Sequence, residues 1–137
     1  LTLLTDSLIV ANELLHQGVH QVILLGGMID AAEFAVRGTL ARLILSELQV
    51  DKVVLGAKAL SPERGLSAES AEEAEILRAF INAGNHVIVV TDSSKFHQSA
   101  LARVAPIDAI HTLVTDTRIP ADALAIIQEK GIFVEMV

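Results

Sequence analysis

The sequence predicts an α/β fold: three αβα layers, with a mainly parallel, Rossmann-like sheet and helices on both faces. Three observations carry this. Short runs of Leu, Ile and Val alternate with segments of helical periodicity from Leu1 to Val137. Some runs are apolar at consecutive positions, as in Val53-Val54-Leu55, which suits strands covered on both faces. Apolar residues make up 52% of the 137 but aromatics only 3%, so Leu, Ile, Val and Ala must build the core.

Taken in order, Leu1–Thr5 reads as a strand already under way. Asp6 or Ser7 can cap a helix whose Leu8, Ala11, Leu14 and Leu15 share a face, and Gly18 supplies its stop. Val19–Leu25 is a second strand, ended by Gly26-Gly27. Ala32–Val36 reads as a short edge strand or a loop, and a helix runs from Thr39 to Leu48 after Gly38. Lys52–Leu60 is a third, long strand, and Ser61-Pro62-Glu63-Arg64-Gly65 a turn. Ser70 and Glu73 form a capping box, with Ile76, Leu77, Phe80 and Ile81 as the buried stripe of the helix they start. Gly84 ends it. His86–Thr91 is a strand, Ser99–Val104 a short helix and His111–Thr115 a strand. Pro120 starts a helix to about Lys130, Gly131 stops it, and Ile132–Val137 is the last strand.

Composition excludes several function classes. At this length one domain is expected, able to bury roughly 68% of its unfolded surface. Mean hydropathy is +0.54, yet the longest apolar run, Val22–Ile29 with its two glycines, falls short of the ~18 residues a spanning helix needs. No membrane association is expected. Absence of Cys rules out a disulfide scaffold, a thiolate metal site and a Cys nucleophile, and fits a cytoplasmic location. Ten Lys and Arg against 17 Asp and Glu give a net charge of −7, so this chain does not bind a duplex by itself. The missing initiator Met suggests a fragment of a longer polypeptide.

In open parallel sheets, ligands bind outside the carboxyl ends of the strands. That rule singles out Thr5-Asp6-Ser7, Gly26-Gly27, Gly56–Ala59, Asp92–Lys95 and Thr115-Asp116. Asp92-Ser93-Ser94-Lys95-Phe96 is the most chemical of these: N–H groups and hydroxyls suit a phosphate, and Lys95 supplies charge. The plainer reading makes Asp92 and the serines turn and cap residues, with Lys95 solvated. Thr5-Asp6-Ser7 offers oxygen-bearing side chains at a helix start, as any capped helix does. Gly26-Gly27 permits close backbone approach or simply a tight turn. Lys58 is either a second anion partner or a solvent-facing loop residue. Glu72, Glu73 and Glu75 include a candidate general base but equally suit a helix N-terminus. His16 and His20 have metal-pair spacing interrupted by Gly18, and His86, His97 and His111 are scattered. No metal or cofactor is expected, since HExxH, the P-loop, G-x-S-x-G and G-x-G-x-x-G are all missing.

With these segments in order, the chain resembles the C-terminal effector-sensing domain of DeoR-family bacterial transcriptional regulators. That domain shares a fold group with ribose-5-phosphate isomerase, glucosamine-6-phosphate deaminase and CoA-transferases. The resemblance rests on Thr5-Asp6-Ser7 with Val10-Ala11-Asn12, Leu24-Leu25-Gly26-Gly27, Gly38, Val50-Asp51-Lys52, Leu55-Gly56-Ala57 and Gly65-Leu66-Ser67. Glu73-Ala74-Glu75 with Arg78, Asp92-Ser93-Ser94-Lys95-Phe96 and Thr115-Asp116 complete the set. It implies a repressor in which an N-terminal winged helix-turn-helix, absent from this chain, binds operator DNA. Residues 1–137 would be an N-terminally truncated sensor that binds a phosphorylated sugar or similar anionic metabolite and forms a homo-oligomer. The implied ligand site comprises Thr5, Asp6, Ser7, Gly26, Gly27, Gly56, Glu73 and Lys95, with Lys58 and Asp92 added from the reading of the strand ends. The chain departs from the family where Gly56-Ala57-Lys58-Ala59 replaces Gly-Ala-Asp/Asn-Gly and where Leu77 replaces a Lys. It also starts after the family's Gly-Ser/Thr-Thr phosphate loop. A second reading is a sugar-phosphate isomerase or deaminase, which needs a general base; there Glu73 near Lys95 is the candidate pair. A pure oligomerisation domain is a third.

Overall fold

The structure, a computed structural model, describes residues 1–18 and 21–137. Two compact units divide the chain, Leu1–Leu48 and Gln49–Val137.

In the first unit, β1 (Thr2–Thr5) pairs in parallel with β2 (Gln21–Leu24). Between them lies α1 (Leu8–Gln17), capped by the Ser7 hydroxyl, which accepts from the Val10 N–H at 3.3 Å, and closed by Gly18. Of the expected apolar face, Ala11 is buried and Leu8 and Leu14 half-buried, but Leu15 is 68% exposed. Val19, expected to open the second strand, and His20 lie outside the described residues. The segment after Gly26-Gly27 is a hairpin of β3 (Met28–Asp30) and β4 (Ala35–Arg37). Of Ala32–Val36, expected as a short edge strand or a loop, residues 32–34 form the turn and Ala35-Val36 begin β4. Gly27 sits at φ +148°, where a Cβ would lie 2.5 Å from the Arg37 carbonyl oxygen, which explains a glycine here. Helix α2 (Thr39–Ser46) follows, with Ala41 and Leu45 buried.

The second unit is built on a four-stranded parallel sheet ordered β11-β10-β8-β5. Its strands are β5 (Val50–Gly56), β8 (Gly84–Val90), β10 (Thr112–Thr115) and β11 (Phe133–Met136). Helices α3 (Ala71–Ala83) and α4 (Ala121–Glu129) flank it, contributing Ala74, Ala123 and Ile127 to a core with Val53, Leu55, Val87, Val89 and Leu113. This mixed α/β architecture is consistent with the expected three-layer αβα fold. Within Val53-Val54-Leu55 the strand alternates: Val53 and Leu55 are buried, whereas Val54 is 65% exposed. Consecutive apolar residues here therefore do not signal burial on both faces.

A second, antiparallel sheet holds β6 (Ala59–Ser61), β7 (Gly65–Ala68) and β9 (Ala102–Ala105) in the order β6-β7-β9. It corrects two expectations. The long strand Lys52–Leu60 is really β5 and β6, broken at Ala57-Lys58 where the chain leaves the parallel sheet. The helix expected at Ser99–Val104 gives way to β9, because a segment so short gains little from helical bonds. Pairing with β7 serves its backbone instead, while Val104 and Ala105 enter the core. Gly65 fixes the turn between β6 and β7. At φ +78° it lies against β9 and its exit, where an added Cβ would collide with the Ala105 carbonyl oxygen and come within 2.8 Å of the Ile107 nitrogen.

Gly65→Ala should accordingly lose at least about 2 kcal/mol, from the left-handed conformation plus the collision. Chemical denaturation measures it; a loss below about 0.5 kcal/mol would show that the turn relaxes freely.

Candidate functional site

In the first unit the polar oxygens at the end of β1 are already engaged. Thr5 is buried, and its Oγ1 accepts from the Ser7 N–H at 3.1 Å. Asp6 Oδ2 accepts from Arg37 Nη1 at 2.5 Å, an ion pair with side chains only 23% and 15% exposed. Backbone bonds tie the same loop to the hairpin: Leu8 N–H to the Phe34 carbonyl, and Val36 N–H to the Asp6 carbonyl. Ser7 is the helix cap, so the plain capping reading describes its side chain, whereas the Asp6 carboxylate is taken by Arg37. Arg37 escaped the sequence reading. Its signal was a lone cation closing the apolar Ala35-Val36 pair, which has no meaning until the hairpin places it against Asp6.

In the second unit, parallel register gathers Gly56, Val90-Thr91-Asp92 and Thr115-Asp116 at one edge of the sheet. Thr91 N–H donates to the Val114 carbonyl at 3.0 Å, and Thr91 Oγ1 to the Ala57 carbonyl at 3.3 Å. Asp92 caps a 3-10 turn at Ser93–Lys95, its Oδ1 accepting from the Ser94 N–H at 2.9 Å. Those bonds, with the nearby Lys95 charge a smaller contributor, hold its carboxyl below the usual range. Asp116 anchors the same turn by accepting from the Ser93 N–H at 2.7 Å. It also accepts from the Arg118 N–H and Nε, and these bonds, Ser93 foremost, hold its carboxyl far below the ordinary value. Lys95 is half-buried, and among the described residues its ammonium makes no hydrogen bond or ion pair.

Lys58 lies 3.8 Å from Glu73 Oε1 and 3.9 Å from Glu69 Oε2. Glu73 is therefore opposed by Lys58, and not by Lys95 as the isomerase reading required. Its Oε2 accepts from the Glu69 N–H at 3.2 Å, while the Ser70 hydroxyl accepts from the Glu73 N–H at 3.1 Å, a capping box shifted by one residue on its return bond. Leu77, one of the positions where the resemblance departs, packs against the core. Among the described residues no three His, Cys, Asp or Glu converge as a metal site. His86 and His111, scattered in sequence, stack with ring centroids 4.9 Å apart, and His111 Nδ1 accepts from the Val87 N–H at 3.0 Å.

Fold and strand ends together define the class: an α/β domain whose parallel strands end in polar, capped loops. A family described as the DeoR C-terminal sensor domain matches residues 1–117, and the chain belongs to that family. It is 32% identical over 134 residues to the putative aga operon transcriptional repressor of Escherichia coli O157:H7, covering 98% of this chain and 50% of that protein. To the transcriptional repressor AccR of Agrobacterium fabrum it is 33% identical over 118 residues, 85% of this chain and 46% of the relative. To the glycerol-3-phosphate regulon repressor of Escherichia coli K12 it is 26% identical over 136 residues, 99% of this chain and 54% of the relative. The chain thus spans about half the length of the curated relatives it matches. No described helix is long and apolar enough to cross a membrane.

Two outcomes follow from this geometry. A carboxyl with a depressed folded-state value stabilises above its unfolded value, near 3.9, and loses that contribution as pH falls further. The stability gap between the unaltered protein and Asp116→Asn should therefore shrink below about pH 4, as read by denaturation at stepped pH. A gap independent of pH would show that the carboxylate does not hold the Ser93 turn. Thr115 Oγ1 is the buried side-chain oxygen without a hydrogen-bond partner among the described residues. Thr115→Val should leave stability unchanged or raise it by about 1 kcal/mol, whereas a loss of that size would reveal a partner for the hydroxyl.

Proposed function

We propose that the chain is the effector-sensing part of a DeoR-type repressor, binding a phosphorylated sugar or related metabolite without transforming it. The single observation that carries this reading is Lys95: an ammonium with no internal ion pair, on a loop whose carboxylates are occupied, at the carboxyl edge of a parallel sheet in a family of sensors. With a net charge of −7, an anion must be held by such local groups against the overall field. A relative whose name invokes glycerol 3-phosphate supports a phosphorylated effector. Gly56, Lys58, Glu73, Asp92 and Lys95 are the proposed ligand groups of the second unit. Thr5, Asp6, Ser7, Gly26 and Gly27 are those of the first, through backbone N–H groups more than through their engaged side chains. Lys58 opposite Glu73 supplies the charge that Leu77 does not.

In the whole protein, operator DNA would be bound by an N-terminal winged helix-turn-helix outside this chain, in the cytoplasm. Effector binding would act by its differential affinity for two arrangements of the DNA-binding heads. Exposed apolar side chains on α1 and α2, among them Leu15 at 68% and Leu40 at 63%, support a homo-oligomer.

The test is a panel of phosphorylated sugars and glycerol 3-phosphate, scored by melting temperature and by release of operator DNA from the whole protein. A ligand at a hundred times its Kd adds about 2.7 kcal/mol of stability, and Lys95→Ala should weaken it at least about tenfold. A panel producing neither shift nor release would sink the reading. Turnover of ribose 5-phosphate or an amino-sugar phosphate, abolished by Glu73→Gln, would replace it with the isomerase or deaminase alternative.

A further inference from the structure

Away from the strand-end loops, the antiparallel sheet of the second unit carries a cleft of about 380 Å³, within the range of small-molecule sites. Arg64, Ser67, Ser99 and Arg103 line it, and no carboxylate does. That is unusual in a chain with 17 acids against ten cations. Five other cations have internal partners: Arg37 with Asp6, Lys58 with Glu69 and Glu73, Arg118 with Asp116, Lys130 with Asp108, and Arg78 with the Arg103 carbonyl. Among the described residues, the Arg64 and Arg103 guanidinium groups have neither an ion pair nor a hydrogen bond, and both side chains are exposed.

The backbone sets their placement. Antiparallel register puts Ser67 directly opposite Arg103, so their side chains stand on one face of the β7–β9 ladder. Arg64 enters from the adjoining turn, which Gly65 presses against the backbone of β9's exit. Ser67 Oγ accepts from the Ala100 N–H at 2.8 Å, which secures the segment bearing Ser99 and leaves the Ser67 hydroxyl proton free to donate. Two planar guanidinium forks and two hydroxyls around a polar cleft match the several acceptor oxygens of a phosphate dianion.

We infer that this cleft is an anion site that takes the phosphomonoester group of a small metabolite, separate from the Lys95 loop. It goes beyond the proposed effector site and does not depend on it.

Titrating isotope-labelled protein with inorganic phosphate and pyrophosphate, followed by NMR at arginine Nε–H and backbone amides, tests it. Saturable shifts should appear at Arg64, Arg103 and the amides of residues 99–101. The pair Arg64→Gln with Arg103→Gln should weaken binding at least about tenfold with melting temperature unchanged, as expected for exposed side chains that contribute bidentate contacts. Lys95→Ala should leave these shifts within about twofold. Shifts confined to Lys95, or spread weakly over every cation including Lys52, would overturn the inference. So would binding that survives both glutamine substitutions.

Discussion

Strand β8 is the element on which the second unit depends. It pairs with β5 along Val50–Gly56 on one side and with β10 on the other, and its Val87 and Val89 are 2% and 0% exposed. A parallel strand cannot be held by a short hairpin, so each neighbour must arrive through a long crossover that carries its own helix or sheet. The crossover from β5 to β8 contains β6, β7 and α3; that from β10 to β11 contains α4. Every polar loop at the carboxyl edge of this sheet is thus placed by the register of β8. Asp92 leaves its end directly, and Asp116 reaches across from β10 to fix the turn that Asp92 begins.

Most of the parallel framework was legible in the sequence because local signals and tertiary demand agree there. Ser70 with Glu73, Gly18 and Pro120 each mark a helix end by side-chain or backbone chemistry, and the structure uses all three near the expected ends. The antiparallel pieces were not legible. β3, β6 and β9 are three or four residues long, too short to show a period of their own. Hairpin partners hold β3 and β6, and a strand far away in sequence holds β9, where Arg103 meets Ser67. Val53-Val54-Leu55 misled for a related reason: strand alternation hides in a run whose residues are all apolar, and only the exposure of Val54 reveals it.

The candidate ligand groups were legible as positions but not as states. Sequence marks Asp6, Asp92 and Asp116 as carboxylates at strand ends, yet not that Arg37, the Ser94 N–H and the Ser93 N–H already occupy them. An occupied carboxylate repels an incoming anion less than a bare one, since its charge is partly offset in place. The internal hydrogen bonds that look like competition for the ligand are therefore what lets an acidic chain present a loop around a cation such as Lys95.

The bond from Val87 N–H to His111 Nδ1 has a chemical consequence of its own. A ring nitrogen that accepts cannot also carry the proton, so the neutral imidazole of His111 is confined to its Nε2–H tautomer. The main chain of β8 thereby selects one of two isomeric rings in a residue that precedes β10. His86, stacked on it, makes its own bond through Nε2 to Thr112 Oγ1 at 2.9 Å, so the two imidazoles meet the sheet by opposite nitrogens. The pair is chemically inequivalent despite sharing one residue type, and their nitrogens should be distinguishable by heteronuclear spectroscopy.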